Sequence, residues 1–329
     1  MIENVPTAAD LQLVSLRLYF RAWADTTSII TDWAEYGMLV TENNSGDEDN
    51  PEWHQYIEAA QSDLQAIYTL IQQSQEIGVK ARICEVSPFL LLKRTDIKAV
   101  DEKNGRWDFT DFPTLDASEL TRVHNIFCAT TLSKEFQAIY EDIRRSRNKI
   151  SHLGSYKQRI EPQAIIDILQ AQYSELYPDR HWMKDRLDFA ALGRWGDSFS
   201  GNDFNERTAL FSELSHLVPI LSDQQYKRLT GHERTEPNFL CHECGIDASL
   251  LDFNIDHVPT AFMADAAHVR CIMCGREHAT QKAAPCPVTD CGCEFQSIGD
   301  GFIGQCMACG WEPEAWSKEQ ERKAKKPGW

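Results

Sequence analysis

The stretch EDIRRSRNKISHLG, residues 141–154, decides how the N-terminal two-thirds of this chain is read. Upstream, Phe136, Ile139, Tyr140 and Ile143 recur at helical spacing, and Ile150 falls on the same side two turns later. Ser133 is placed to cap the helix N-terminus, Glu135 and Gln137 suit its first turn, and Gly154 supplies a stop. The spacing thus predicts one amphipathic helix ending near His152. Its last turns hold a guanidinium (Arg147), a carboxamide (Asn148) and an imidazole (His152) within six residues. Such groups can hold a phosphodiester and move a proton without a metal.

At about 100° per residue, Asn148 and His152 lie about 40° apart on the helix, whereas Arg147 lies about 140° from His152. One helix does not easily aim Arg147 and His152 at one atom; two facing copies do. The geometry favours a composite site across a homodimer. Between Ile143 and Ile160 there are six basic residues and no acidic ones, in a chain of net charge -17. That island is an electrostatic landing site for a polyanion, with Arg144, Arg145 and Lys149 as candidate substrate-binding residues.

Arg, a polar residue, three further positions and His near the end of a bundle helix resemble the signature of HEPN-domain ribonucleases. The resemblance implies a dimerising helical bundle that cleaves RNA without metal. Many members act as toxins or in defence against phage. It assigns Arg147 and His152 to the two catalytic positions and Asn148 to the polar position after the Arg. It covers residues 1–180 in expected topology but only this short stretch in sequence. The implied chemistry uses the ribose 2′-OH as nucleophile, leaving a 2′,3′-cyclic phosphate and a 5′-hydroxyl. A strongly acidic chain binds RNA weakly in general, so a protein or phage-derived trigger is an expected partner.

The second signal is cysteine. Nine of eleven cysteines fall between Cys241 and Cys309, in short pairs that end in or near glycine. Such pairs, separated by loops, are tetrahedral zinc chemistry. Two structural zinc sites are read: Cys241, Cys244, Cys271 and Cys274, then Cys286, Cys291, Cys306 and Cys309. Cys293 competes with Cys291 for the second. Four-cysteine sets leave no open coordination position, so a target- or partner-sensing role is expected of these ribbons. Asn254-Ile-Asp256-His257-Val-Pro259, between the first two pairs, resembles the Asp-His-x-x-Pro segment of HNH nucleases. That alternative implies a metal-dependent DNA nuclease using His257, with His278 as a distal partner, although the expected Asn ahead of the second pair is absent. A non-catalytic zinc-ribbon adaptor whose basic island binds a protein or nucleic acid is the third reading.

At 329 residues and 42% hydrophobic content, the chain can build two cored domains. The fold class is mainly α: a HEPN-like bundle with additional helices and a small C-terminal Cys-rich zinc-ribbon module. Helices are expected over Ala8–Val40, Trp53–Gln75, Glu119–Ala129, Gln163–Tyr177, Trp182–Leu192 and Asn205–Leu229, with a short strand at Arg106–Phe109 and an acidic turn at Asn43–Pro51. Residues 1–232 form the helical domain (core 1–180, extra helices 181–232) and 233–329 the tandem ribbons. No apolar run is long enough to cross a bilayer, and without a secretory signal a cytoplasmic, reducing location is expected.

Overall fold

The computed structural model describes residues 2–40, 50–93, 106–153, 158–192, 206–249, 258, 260–299 and 301–312. The chain divides into two compact units, residues 1–180 and 181–329. The boundary expected at 232/233 falls inside the second unit. Ten α-helices among the described residues make the protein mainly α.

The first unit holds α1 (Ala8–Val40), α2 (Pro51–Ala59), α3 (Gln61–Val86), α4 (Ala117–Phe127), α5 (Lys134–Leu153) and α6 (Pro162–Leu176), with β1 (Ile2–Glu3) paired parallel to β2 (Trp107–Asp108). Helix α3 is the central element: α1, α4, α5 and α6 all pack on it. Tyr19, Phe20, Trp23, Ile30 and Trp33 of α1 and Leu64, Ile67, Ile71, Val79 and Ile83 of α3 are buried. Each contributes about 1.5–3 kcal/mol of transfer free energy. Cys84 Sγ donates to Pro6 O at 3.3 Å, while Trp33 and Trp53 meet edge to face at 5.4 Å. The two long helices therefore run antiparallel, with α2 covering the far end.

Local signals set the element boundaries. Asn50 Oδ1 accepts from Glu52 N at 2.9 Å, with Pro51 in the first helical turn. Ser133 Oγ accepts from Phe136 N at 3.1 Å, as the sequence predicts for the start of α5. Gln61 grips the chain before α6 with both ends of its amide: Nε2 donates to Ile160 O at 2.9 Å and Oε1 accepts from Ile160 N at 2.9 Å. Helix α3 outruns its expected end at Gln75 by three turns.

The reason is a polar seam where α1, α3 and α6 meet. Ser15 Oγ donates to Ser74 O at 2.6 Å and lies 2.5 Å from Tyr177 Oη. Ser74 Oγ donates to Ser15 O at 2.8 Å and accepts from Gln172 Nε2 at 2.7 Å. One turn on, a Cβ at Gly78 would stand 2.7 Å from Leu176 Cδ1 and 2.9 Å from Ser15 Oγ, so a side chain there would have to displace those two. Gln75 is 0% exposed, and neither its amide nitrogen nor its oxygen has a partner among the described residues. An unmade buried hydrogen bond costs about 1–3 kcal/mol. Gln75→Met, of similar length and with no polar atoms to satisfy, is expected to stabilise α3 by about 1–2 kcal/mol on that basis. Hydrogen exchange of the α3 amides reads the gain; unchanged or weakened protection counts against it.

His124, in the last turn of α4, is 1% exposed. Its Nδ1 lies 3.3 Å from Asn125 Oδ1, and its Nε2 is buried without a partner among the described residues. Burial holds the imidazole below its usual range, helped by Arg82 and opposed by Asn125 and Glu175. The unfolded chain therefore binds the proton first. Stability is complete above the unfolded value of about 6.5 and falls as pH drops below it, by at most about 1.4 kcal/mol per pH unit. In His124→Asn the loss of stability between pH 6.5 and 5 should be correspondingly smaller, as read by denaturation of the first unit at each pH.

In the second unit α7 (Trp182–Leu192), α8 (Glu206–Leu217) and α9 (Asp223–Thr230) precede a five-stranded antiparallel sheet. Its order is β3 (Asn238–Phe239), β4 (Ala261–Met263), β5 (His268–Cys271), β6 (Glu277–Lys282) and β7 (Phe295–Ser297), with α10 (His242–Ser249) between β3 and β4. The single helix expected over 205–229 is broken at Pro219, and Ser222 restarts it by accepting from Gln225 N at 3.2 Å while Gln225 Oε1 accepts from Ser222 N at 2.8 Å. Arg186 and Glu213 form a mostly buried ion pair between α7 and α8, and α8 packs on α10. The His232 ring stacks on Phe262 of β4 at 3.8 Å. These contacts are why the extra helices fold with the cysteine-rich sheet.

Candidate functional site

Helix α5 buries Phe136, Tyr140, Ile143 and Ser146 and carries the signature residues on its last two turns. Arg147 lies one turn beyond Ile143, at the margin of the buried stripe. It is part-buried, its Nη1 donates to Asn148 Oδ1 at 3.3 Å, and its Nε is buried with no partner among the described residues. The backbone of α5 continues through Leu153, so Asn148 and His152 stand one turn apart on the helix. The side chain of His152 and residues 154–157 lie outside the described residues.

The basic island is less free than its sequence implies. Glu141, just upstream of it, accepts from Arg144 Nε at 2.9 Å and Nη2 at 2.8 Å, and from Arg145 Nε at 2.7 Å. Arg144, then Arg145, hold the Glu141 carboxyl below the usual carboxylate range. Arg159 pairs with Glu161 at 2.6 Å. Arg147 and the exposed Lys149 have no carboxylate partner among the described residues. A charge count over 143–160 misses Glu141, although its i, i+3 and i, i+4 spacing to the two arginines was the readable signal.

The eight expected thiols form two groups, Cys241, Cys244, Cys271 and Cys274, and Cys286, Cys291, Cys306 and Cys309, each with all Sγ atoms within 4.8 Å of one another. In the first, Cys241 and Cys274 are 3.7 Å apart and Cys244 and Cys271 3.8 Å. In the second, Cys286 and Cys309 are 3.7 Å apart and Cys291 and Cys306 3.6 Å. A tetrahedron with metal–sulfur bonds of about 2.3 Å has edges of about 3.8 Å. Both groups thus fit a four-coordinate metal ion such as zinc.

The knuckles show how the sequence builds this. Met273 N and Cys274 N both point to Cys271 Sγ at 3.4 Å, Gly275 N donates to Cys271 O at 3.0 Å, and Gly275 has φ +72°. The second unit's later knuckle repeats the turn: Ala308 N lies 3.4 Å from Cys306 Sγ, and Gly310 has φ +71°. Only glycine takes that backbone at no steric cost. Hydrogen bonds from Cys241 and Cys244 hold the Cys274 thiol well below its usual range. Cys293 stands outside the second group, its Sγ accepting from Phe295 N at 3.4 Å.

No protein-family model, curated protein or solved structure matches this chain. Its chemistry rests on its own residues.

His257 lies outside the described residues. His278, the partner it would need in the HNH arrangement, places Nε2 3.2 Å from Cys241 Sγ, so its imidazole is engaged with a thiol of the first cluster. Beside it His242 stacks on Phe302 at 4.9 Å; burial pushes its pKa down to about 4. No described helix is long and apolar enough to cross a membrane.

Proposed function

We propose that this protein is a metal-independent endoribonuclease of HEPN type, working through Arg147, Asn148 and His152 at a homodimer interface. The single observation that supports it most is the state of Arg147: a part-buried guanidinium, hydrogen-bonded to Asn148 and without a carboxylate partner among the described residues. A part-buried cation with its Nε shut off from water gains from a counter-ion, and a phosphodiester supplies both the charge and the acceptor geometry.

In the proposed reaction the ribose 2′-oxygen attacks phosphorus and the P–O5′ bond breaks. The 2′-OH proton passes to one imidazole, and the leaving 5′-oxygen receives a proton from the other. Two His152 residues, one from each protomer, divide those tasks. Arg147 of one protomer or its partner holds the non-bridging oxygens as charge develops, and Asn148 orients the guanidinium. Arg144 and Arg145, already paired to Glu141, contribute less to binding RNA than Lys149. The two four-cysteine groups hold structural zinc, and as closed sets they suit a partner- or target-sensing role rather than catalysis.

The test is cleavage of end-labelled RNA by the zinc-loaded protein with no divalent ion added. The expected product ends in a 2′,3′-cyclic phosphate, and a 2′-deoxy residue at the cut position stops the reaction. Full cleavage of that deoxy substrate, or none of the parent RNA by a verified dimer with its trigger supplied, rejects the reading.

A further inference from the structure

The two four-cysteine groups are not beads on a string. Strand β6 serves both: Glu277, His278 and Ala279 pair with β5, next to the first group, while Thr280, Gln281 and Lys282 pair with β7, next to the second. Leu240, the residue before ligand Cys241, donates its N–H to the carbonyl of Met307, the residue after ligand Cys306, at 2.6 Å. Met307 is fully buried. Its own N–H donates to Phe295 O at 3.0 Å, tying the second knuckle to β7.

The Leu240 side chain then meets a glycine from each metal group. A Cβ on Gly245, which follows Cys244, would lie 3.1 Å from Leu240 Cδ1; one on Gly310, which follows Cys309, would lie 3.3 Å from Leu240 Cδ2. Rings seal the same seam: Phe239 meets Phe295 edge to face at 5.7 Å, and Phe302 stacks on His242, the neighbour of Cys241. Phe239 and His242 belong to the first ribbon, Phe295 and Phe302 to the second. The two ribbons therefore share part of one core.

We propose that the two centres form one cooperative metal unit in which an ion in either strengthens the hold on the ion in the other, with Leu240 as the coupling residue. Metal binding to small ribbons is folding free energy, so a shared core makes the two binding events share it. This goes beyond the ribonuclease reading and is independent of it; it rests on the two groups binding metal.

The experiment loads the full chain with cobalt(II), whose thiolate complexes are coloured, counts the bound ions, and follows their loss to excess chelator. Two ions leaving the wild-type chain in one phase is the expected result. Cys309→Ser should lose the second centre's ion and release the first centre's about tenfold faster, the scale of coupling between residues in contact. Leu240→Ala keeps all eight thiols, so it should still bind two ions but release them in two phases. Two independent phases in the wild type, or a first-centre rate unaltered by Cys309→Ser, overturns the coupling. Single-phase release from Leu240→Ala overturns the role of that residue. Fewer than two bound ions in the wild type overturns the metal reading itself, and the coupling with it.

Discussion

Arg147→Ala is expected to lower RNA cleavage by about 10²–10³-fold, the scale of losing one preorganised donor to a developing oxyanion. The residue sits at the edge of the buried stripe of α5, where water does not compensate for a missing charge as it does at an exposed site. Its Nη1 is already fixed on Asn148, so the guanidinium plane is set before any substrate arrives. Arg147→Lys separates charge from shape: it keeps the cation but loses the planar fork, and should recover only part of the rate. His152→Ala should cost about 10²–10⁴-fold, as removal of a general acid or base does. Because the proposed site takes one His152 from each protomer, a mixed dimer of wild-type and His152→Ala chains should cleave about as slowly as the His152→Ala homodimer. Cleavage at the wild-type rate by the Arg147→Ala or the His152→Ala homodimer would end the assignment; half the wild-type rate in the mixed dimer would confine the site to one protomer.

How much of this was legible beforehand follows from where each signal lives. The cysteine pairs were readable because ligand spacing is local and a knuckle is a four-residue event. The choice of Cys291 over Cys293 was not. It depends on the turn around Cys291, where Asp290 and Gly292 on either side both take positive φ (+67° and +59°) and Cys293 ends beside Phe295. The N-terminus of α5 was readable because Ser133 and the apolar stripe agree. The last turns of α3 were not, because Gln72, Ser74 and Gln75 break the apolar pattern while being buried. Periodicity rules assume that the inward face is apolar. The grouping of α7, α8 and α9 with the ribbons hangs on tertiary contacts, His232 on Phe262 among them, that no window of sequence displays. For the signature site, the residue types and their helix were legible, whereas the neutralisation of Arg144 and Arg145 by Glu141 showed only in the side-chain geometry.

Stripping both ions is expected to unfold the segment from β3 to the second knuckle while the bundle of residues 1–180 stays folded. The sign follows from what the ribbon buries. Its core is Phe239, Phe262, Val269, Ile272, Met273 and Met307 beside the thiols themselves, too little for a module of this size to stand alone. Structural zinc contributes about 10–16 kcal/mol at neutral pH, more than the few kcal/mol such a core supplies. Removing the ions also leaves four thiols crowded within 4.8 Å in each group with no cation between them. The bundle has no share in this, because its long helices bury their own aromatic core. Lowering pH should act in the same direction as a chelator, since protons compete with the metal for thiolates: the folded ribbon persists above the pH at which the thiols take protons and is lost below it. Hydrogen exchange with and without chelator reads both halves. The Val269 amide in β5 should lose its protection while Ile71 in α3 keeps its own; a protected Val269 in the metal-free chain would mean that the apolar core suffices.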